Sequence, residues 1–194
     1  MERHPVTATV WGRDLSLVSG SGVFAAGRLD TGTAVLFRAT DPPADGTRTL
    51  LDLGCGYGVI ACALAAATAE TAIWAVDVND RALELTAENT ERIGAGSRMH
   101  VAHPDAVPEG IMFDEIWSNP PVRIGKAALH DLLLRWLPRL APSGKAVVVV
   151  GKNLGADSLQ RWLRAQGWPC DRLASAKGFR VLEIRPRRDA AAGV

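Results

Sequence analysis

The pattern of apolar runs predicts an α/β protein: a doubly wound sheet of seven strands, mostly parallel with an antiparallel last strand, behind a short β-rich N-terminal accessory segment. Three observations carry this. From Thr47 onward, continuous apolar strands alternate with helical patterns, as in sheets covered on both faces. A glycine-rich turn joins the first of these strands to an alanine-rich helix. The last two apolar runs, "WPCDRLA" and "GFRVLEI", lie too close together for a crossover helix and must pair antiparallel.

The elements follow in order. Thr7 to Val18, "TATVWGRDLSLV", alternates as a strand pair turned at Gly12-Arg13-Asp14. "SGSGVFAAGRLDTGTAVLF" is a glycine-rich loop ending at Asp30, an N-cap for a short helix around Thr33 to Arg38. "DPPADG" at Asp41 to Gly46 is a loop by composition. Then come the strand "TRTLLDL", the turn "GCGYG", the helix "VIACALAAAT", the strand "AIWAVDV", a helix from Arg81 to Arg92, and the strands "SRMHVAH" and "IMFDEIWS". A helix from Leu129 to Leu140, the strand "KAVVVVG", a helix from Ala156 to about Gln166 and the final strand pair complete the sheet. Residues 1–45 are expected to form the accessory segment, 46–188 the main domain, and the alanine-rich 189–194 a frayed tail. Trp11, Trp117, Trp136, Trp162 and Trp168 are expected mostly at core and sheet-packing positions.

The totals narrow the function classes. The chain has 194 residues, 47% of them apolar and 22% charged, a globular composition sufficient for one core. A net charge of +1 excludes a coat of basic residues but not a local patch. Cys55, Cys62 and Cys170 form no C-x-x-C pair, and His4, His100, His103 and His130 are scattered, so no disulfide framework or metal site is expected. With no secretory h-region and no run long enough for a membrane span, a cytoplasmic protein without membrane association is expected.

The chemistry concentrates at two turns. In Gly54-Cys55-Gly56-Tyr57-Gly58 the glycines admit a ligand to the backbone and the following helix offers its N–H groups. Asp77 closes the next strand about 20 residues on, where doubly wound nucleotide folds hold ribose hydroxyls. The dinucleotide fingerprint G-x-G-x-x-G would need glycine at position 59, where Val59 stands. The second turn is Ser118-Asn119-Pro120-Pro121-Val122-Arg123-Ile124-Gly125-Lys126, after the strand "IMFDEIWS". Each proline lacks an N–H and holds its predecessor extended, so the carbonyl groups here are aimed. A planar amine is a poor nucleophile because its lone pair is drawn into the adjoining π-system. If the Asn119 side-chain oxygen and the Pro120 carbonyl each accept one N–H, that lone pair turns toward an electrophile and the developing charge is stabilised. Proton loss to solvent then needs no side-chain base.

The glycine spacing G-x-G-x-G preceded by Asp52 resembles motif I of S-adenosylmethionine-dependent methyltransferases, whose fold is Rossmann-like. The resemblance implies a cofactor site formed by Asp52, Gly54, Cys55, Gly56, Gly58, Asp77, Val78, Asp105 with Ala106, and Asn119, with S-adenosylhomocysteine as product. Asp52 can also be read as a strand-end capping residue, Asp105 as a solvated turn residue, Asn79 as an N-cap and Asn89 as structural. Asn119-Pro120-Pro121 resembles the N-P-P-aromatic signature of methyltransferases acting on the amino groups of adenine, guanine or glutamine, with Val122 where the aromatic stands. "NPPVRIGK", "LHDLLLRWLPRLAPSGKAVVVVGKNLGADSL", "KGFRVLEI" and "SGVFAAGRLDTGTAVL" together resemble the small-domain methyltransferases related to the 16S ribosomal RNA guanine-N2 enzymes. Better-known bacterial members of that family carry a degenerate second copy in front. This chain is expected to work either as a single domain or with a partner supplying the rest.

The implied reaction is methyl transfer to the N2 amine of a guanine in small-subunit ribosomal RNA, with Asn119, Pro120 and Pro121 catalytic. Phe24, Val122, Arg123, Lys126 and Arg180 are the expected substrate contacts: Phe24 to stack on the base in place of the missing aromatic, and the cations to meet phosphate. Lys177, Arg185, Arg187 and Arg188 add to a basic C-terminal bias. Methylation of a protein glutamine or a small-molecule amine, and a non-catalytic cofactor-binding module, are the alternatives.

Overall fold

A computed structural model describes residues 2–23, 27–120 and 125–187. The chain opens with an antiparallel hairpin of β1 (Arg3–Val10) and β2 (Arg13–Gly20). The sequence placed its turn at Gly12-Arg13-Asp14; the structure turns one residue earlier, at Trp11-Gly12, with φ of 49° and 75°. Positive φ at both positions is the type I′ pattern, one of the two-residue turns that match strand twist. Tertiary contacts hold Trp11 in that conformation: its indole N–H donates to the Thr40 carbonyl at 2.8 Å, and its ring packs edge-on against Phe37 and Trp117.

A short helix, α1 (Thr31–Arg38), then starts at Asp30, whose carboxylate accepts the Thr33 N–H at 3.0 Å, as the sequence indicated. The main sheet alternates β3 (Thr49–Leu53), α2 (Val59–Ala67), β4 (Ala72–Val76), α3 (Asp80–Arg92), β5 (Met99–Ala102), β6 (Phe113–Ser118), α4 (Gly125–Trp136), β7 (Leu140–Gly151), α5 (Ala156–Ala165), β8 (Cys170–Ala176) and β9 (Phe179–Ile184). Its spatial order is β5-β4-β3-β6-β7-β9-β8. β9 runs antiparallel to both neighbours, which confirms the seven strands and the antiparallel last strand. Helix α4 begins at Gly125, four residues before the expected Leu129, because its first turn is exposed and carries no apolar periodicity.

Side chains alternate between the two faces of the sheet and divide the interior into two cores. Val147, Val149 and Val181 face α1, α2, α3 and the hairpin. Val148, Val150, Leu182 and Ile184 face α4 and α5. Strand order reverses between β3 and β6, and a crevice opens there at the carboxyl ends, where open α/β sheets bind ligands.

Candidate active site at the carboxyl ends of β3, β4 and β6

The crevice is a cleft of about 290 Å³ lined by Val23, Asp30, Thr33, Gly54 to Tyr57 of the glycine turn, Val59 and Ile60 at the start of α2, Asp77, Val78, Asn79, Ala82 and Asn119; Gly58, expected at the cofactor, is not part of the lining. Its floor is the glycine turn. Gly54, Gly56 and Gly58 have φ of 75°, 59° and 82°, a left-handed run that lets the chain leave β3 and enter α2 directly. At Gly58 a side chain is also excluded by packing, since a Cβ would lie 2.8 Å from Thr86 Cγ2. The turn is fastened at both ends. The Asp77 carboxylate accepts the Gly56 and Asn79 N–H groups, each at 3.0 Å, and Gly54 and Cys55 donate to the Val76 carbonyl.

Asn89 lies under the turn and is fully buried. It accepts from Val18 N at 2.8 Å and donates to the carbonyls of Val18 and Tyr57, each at 2.7 Å. This α3 side chain therefore ties the N-terminal hairpin to the glycine turn. In the sequence it carried only a structural reading. Asn79 caps α3 through Arg81 N, as expected, and its amide also donates to the Gly22 carbonyl.

The lining suits a ligand with a flat aromatic ring, a diol and a polar tail. Val78 is 79% exposed, an apolar face at the rim beside the Asp77 carboxylate. Among the described residues the buried Tyr57 hydroxyl has no hydrogen-bond partner. Burial, with the nearby Asp30 charge, raises its pKa, so it stays protonated as a donor. Burial and the charge of Asp52 likewise push the Cys55 thiol well above its usual range, which removes it as a competing nucleophile. Asp77 for the diol, Val78 and Ile60 for the ring, and Tyr57 with the turn for the tail are the residues that would hold S-adenosylmethionine.

Asn119 closes the cleft at the end of β6, in the same cavity as Asp77. Its Nδ2 lies 2.8 Å from both Asp30 Oδ2 and Thr33 Oγ1. A carboxylate only accepts, so the nitrogen must face Asp30, which leaves the amide oxygen for the cleft.

The remaining sequence-predicted residues divide. Asp52 lies behind the turn, fully buried, accepting the Ala61 N–H at 2.9 Å; it does not line the cleft. Asp105 and Ala106 also lie outside the lining, and Asp105 is exposed and paired with Arg135 at 2.6 Å. Arg180 is paired with Asp157 at 3.4 Å, and Lys126 is exposed at the start of α4. Phe24, Pro121, Val122 and Arg123 fall outside the described residues. Thr33 was missed as a contributor. Its only signal was its place three residues after a capping aspartate, which is also the spacing of an ordinary helix start.

The family described as methyltransferase small domain matches residues 14–183. The chain belongs to this family. It is an S-adenosylmethionine-dependent methyltransferase. Among similar proteins, the uncharacterized protein YbxB of Bacillus subtilis is 35% identical over 177 residues, covering 89% of this chain and 87% of its own length. Ribosomal RNA small subunit methyltransferase C of Acinetobacter baumannii is 32% identical over 185 residues, covering 91% of this chain and 52% of its own length. The tRNA1(Val) (adenine(37)-N6)-methyltransferase of Vibrio vulnificus is 33% identical over 149 residues, covering 68% and 62%. This methyltransferase thus spans about half the length of the ribosomal RNA relatives it matches. In structure it is similar to the T. thermophilus 16S rRNA N2 G1207 methyltransferase in complex with AdoMet and guanosine, with a TM-score of 0.83 at 24% identity, covering 96% of this chain and 51% of that one. Among the described residues no group of histidines, cysteines and carboxylates is placed to hold a metal ion, and no helix is long and apolar enough to cross a membrane.

Proposed function

We propose that this methyltransferase transfers a methyl group to the exocyclic N2 amine of a guanine in RNA, with 16S ribosomal RNA as the substrate class. The observation that carries the reading is the shared cavity: Asn119 presents an acceptor to the space that Asp77, Val78 and the glycine turn prepare for the cofactor. When bound, S-adenosylmethionine supplies an electrophilic methyl on a sulfonium. Asn119 Oδ1 and the Pro120 carbonyl take one N–H each, which orients the amine and stabilises the charge on its nitrogen. Transfer of that methyl to the oriented nitrogen would leave S-adenosylhomocysteine, and the amine proton would pass to solvent without a side-chain base.

Guanine is favoured over other planar amines by the similarity across 91% of the chain to a ribosomal RNA methyltransferase, and by a structural neighbour whose complex contains guanosine. Phe24 of the glycine-rich segment that follows the hairpin in sequence, Val122 and Arg123 directly after Asn119-Pro120-Pro121, and Lys126 and Arg180 are proposed to contact the base and flanking phosphates. Asp52, Asp105 and Ala106 are proposed to act on the cofactor from behind or beside the cleft rather than from its lining. The adenine N6 amine of a transfer RNA is the second reading, favoured by the 33% identity to an enzyme of that specificity. The test offers the purified protein with isotopically labelled cofactor to unmodified 16S RNA, unmodified transfer RNA and a total protein extract. Labelled N2-methylguanosine from 16S RNA supports the proposal, labelled N6-methyladenosine favours the second reading, and label confined to protein overturns both.

A further inference from the structure

We propose that Asp30 and Thr33 are positioning residues for the transfer, fixing which end of the Asn119 amide faces the substrate. This rests on the reading that Asn119 accepts an N–H of the methylated amine. A free asparagine side chain at the mouth of a cleft has two orientations, and only one offers an acceptor. Here both Nδ2 protons are engaged, by Asp30 Oδ2 and Thr33 Oγ1, each at 2.8 Å. Rotating the amide by half a turn would set its oxygen against the Asp30 carboxylate at that distance, two acceptors facing each other. The acceptor orientation is therefore chosen by α1 and not by the substrate.

The two holding groups are themselves fixed. Asp30 Oδ2 also accepts the Thr33 N–H at 3.0 Å, so one carboxylate oxygen caps the helix and holds the amide. Thr33 is buried, and Val35, Leu36 and Phe37 further along α1 are packed in the core against Val149 and Val181. The first turn of α1 is crowded: a Cβ on Gly32 would lie 2.9 Å from Phe179 Cε1 and 3.0 Å from Asp30 Oδ2. A site held within a fraction of an ångström by a packed element is what a pre-organised acceptor requires. The N-terminal segment, expected as an accessory, thereby supplies part of the catalytic geometry.

Thr33→Val tests this directly, because valine keeps the shape and the backbone N–H that Asp30 caps while removing the Oγ1 acceptor. The amine-transfer assay and nitrogen-15 NMR of the Asn119 side-chain amide, assigned by its loss in Asn119→Ala, are run on wild type, Thr33→Val and Thr33→Ser. Thr33→Val is expected to lower kcat at least tenfold with the calorimetric Kd for S-adenosylmethionine within about twofold of wild type. The Asn119 amide proton that loses Thr33 Oγ1 should shift upfield while its partner stays on Asp30, and Thr33→Ser should restore both readouts most of the way. An unchanged Asn119 amide signal in Thr33→Val overturns the contact, and a shifted signal with unchanged kcat overturns the positioning role. If wild type transfers to no amine while the Asn119 signal responds to Thr33→Val, the contact stands and the reading of Asn119 as amine acceptor fails, taking the positioning role with it.

Discussion

Asp52→Asn should make the stability of the protein less dependent on pH. Asp52 is fully buried, and among the described residues its second carboxylate oxygen has no hydrogen-bond partner. Burial pushes its carboxyl up from 3.8 to about 7; the hydrogen bond from Ala61 pulls it back in part, and the charge of Asp77 adds to the rise. The folded state therefore holds the Asp52 proton more tightly than the unfolded state does. Stability from this group is fully present below pH 3.8 and is lost as pH rises through about 7. Between pH 5 and pH 8 the loss amounts to about 2.5 kcal/mol, at about 1.36 kcal/mol for each tenfold difference in proton affinity. Asparagine has no proton to release, so the variant lacks this loss. It carries instead a constant cost for the extra amide hydrogens, which cancels when the two pH values are compared. Urea denaturation of both proteins at pH 5 and pH 8, without cofactor, isolates the term. The wild type should lose about 2.5 kcal/mol more than Asp52→Asn over that interval, or roughly 5–10 °C in Tm for a chain of this size. Equal losses in the two proteins would mean that Asp52 is ionised and stabilised in the fold, and would refute the burial argument.

Other expectations concern the cleft and its support. Val78→Asp places a charge on an exposed rim position, so Tm should change little while calorimetry shows cofactor affinity falling about tenfold, about 1.4 kcal/mol. Asn89→Leu removes three buried hydrogen bonds and strands the Val18 N–H and the Val18 and Tyr57 carbonyls. At roughly 1–3 kcal/mol for each unsatisfied group, the denaturation midpoint should fall sharply. Hydrogen exchange should show the β1–β2 hairpin and the glycine turn loosening together.

The strand and helix order was legible because each sheet strand is a continuous apolar run and each helix has its own period. The antiparallel β9 followed from the shortness of its connection to β8. What escaped the sequence was set by contacts distant in the chain. Trp11 takes a left-handed conformation because Phe37, Trp117 and the Thr40 carbonyl hold its ring, and no local signal marks it. The glycine turn, Asp77 and Asn119 were readable as candidate site residues because their chemistry is written in spacing within single turns, and the structure gathers Gly54, Gly56, Asp77 and Asn119 into one cleft. Thr33 is 86 residues from Asn119 and Asp30 is 89, so their hydrogen bonds to it appear only once α1 is laid across the sheet. Asp52 has the motif spacing but the fold turns it behind the loop, a distinction that spacing alone does not make.

The proposed reaction is methyl transfer to a guanine amine oriented by Asn119. Its most direct measurement is nucleoside mass spectrometry of 16S ribosomal RNA from cells lacking this protein, complemented with either wild type or Asn119→Ala. N2-methylguanosine should fall on deletion, return with wild type, and stay low with Asn119→Ala even though that variant still binds S-adenosylmethionine. An unchanged N2-methylguanosine content on deletion, or full restoration by Asn119→Ala, would contradict it.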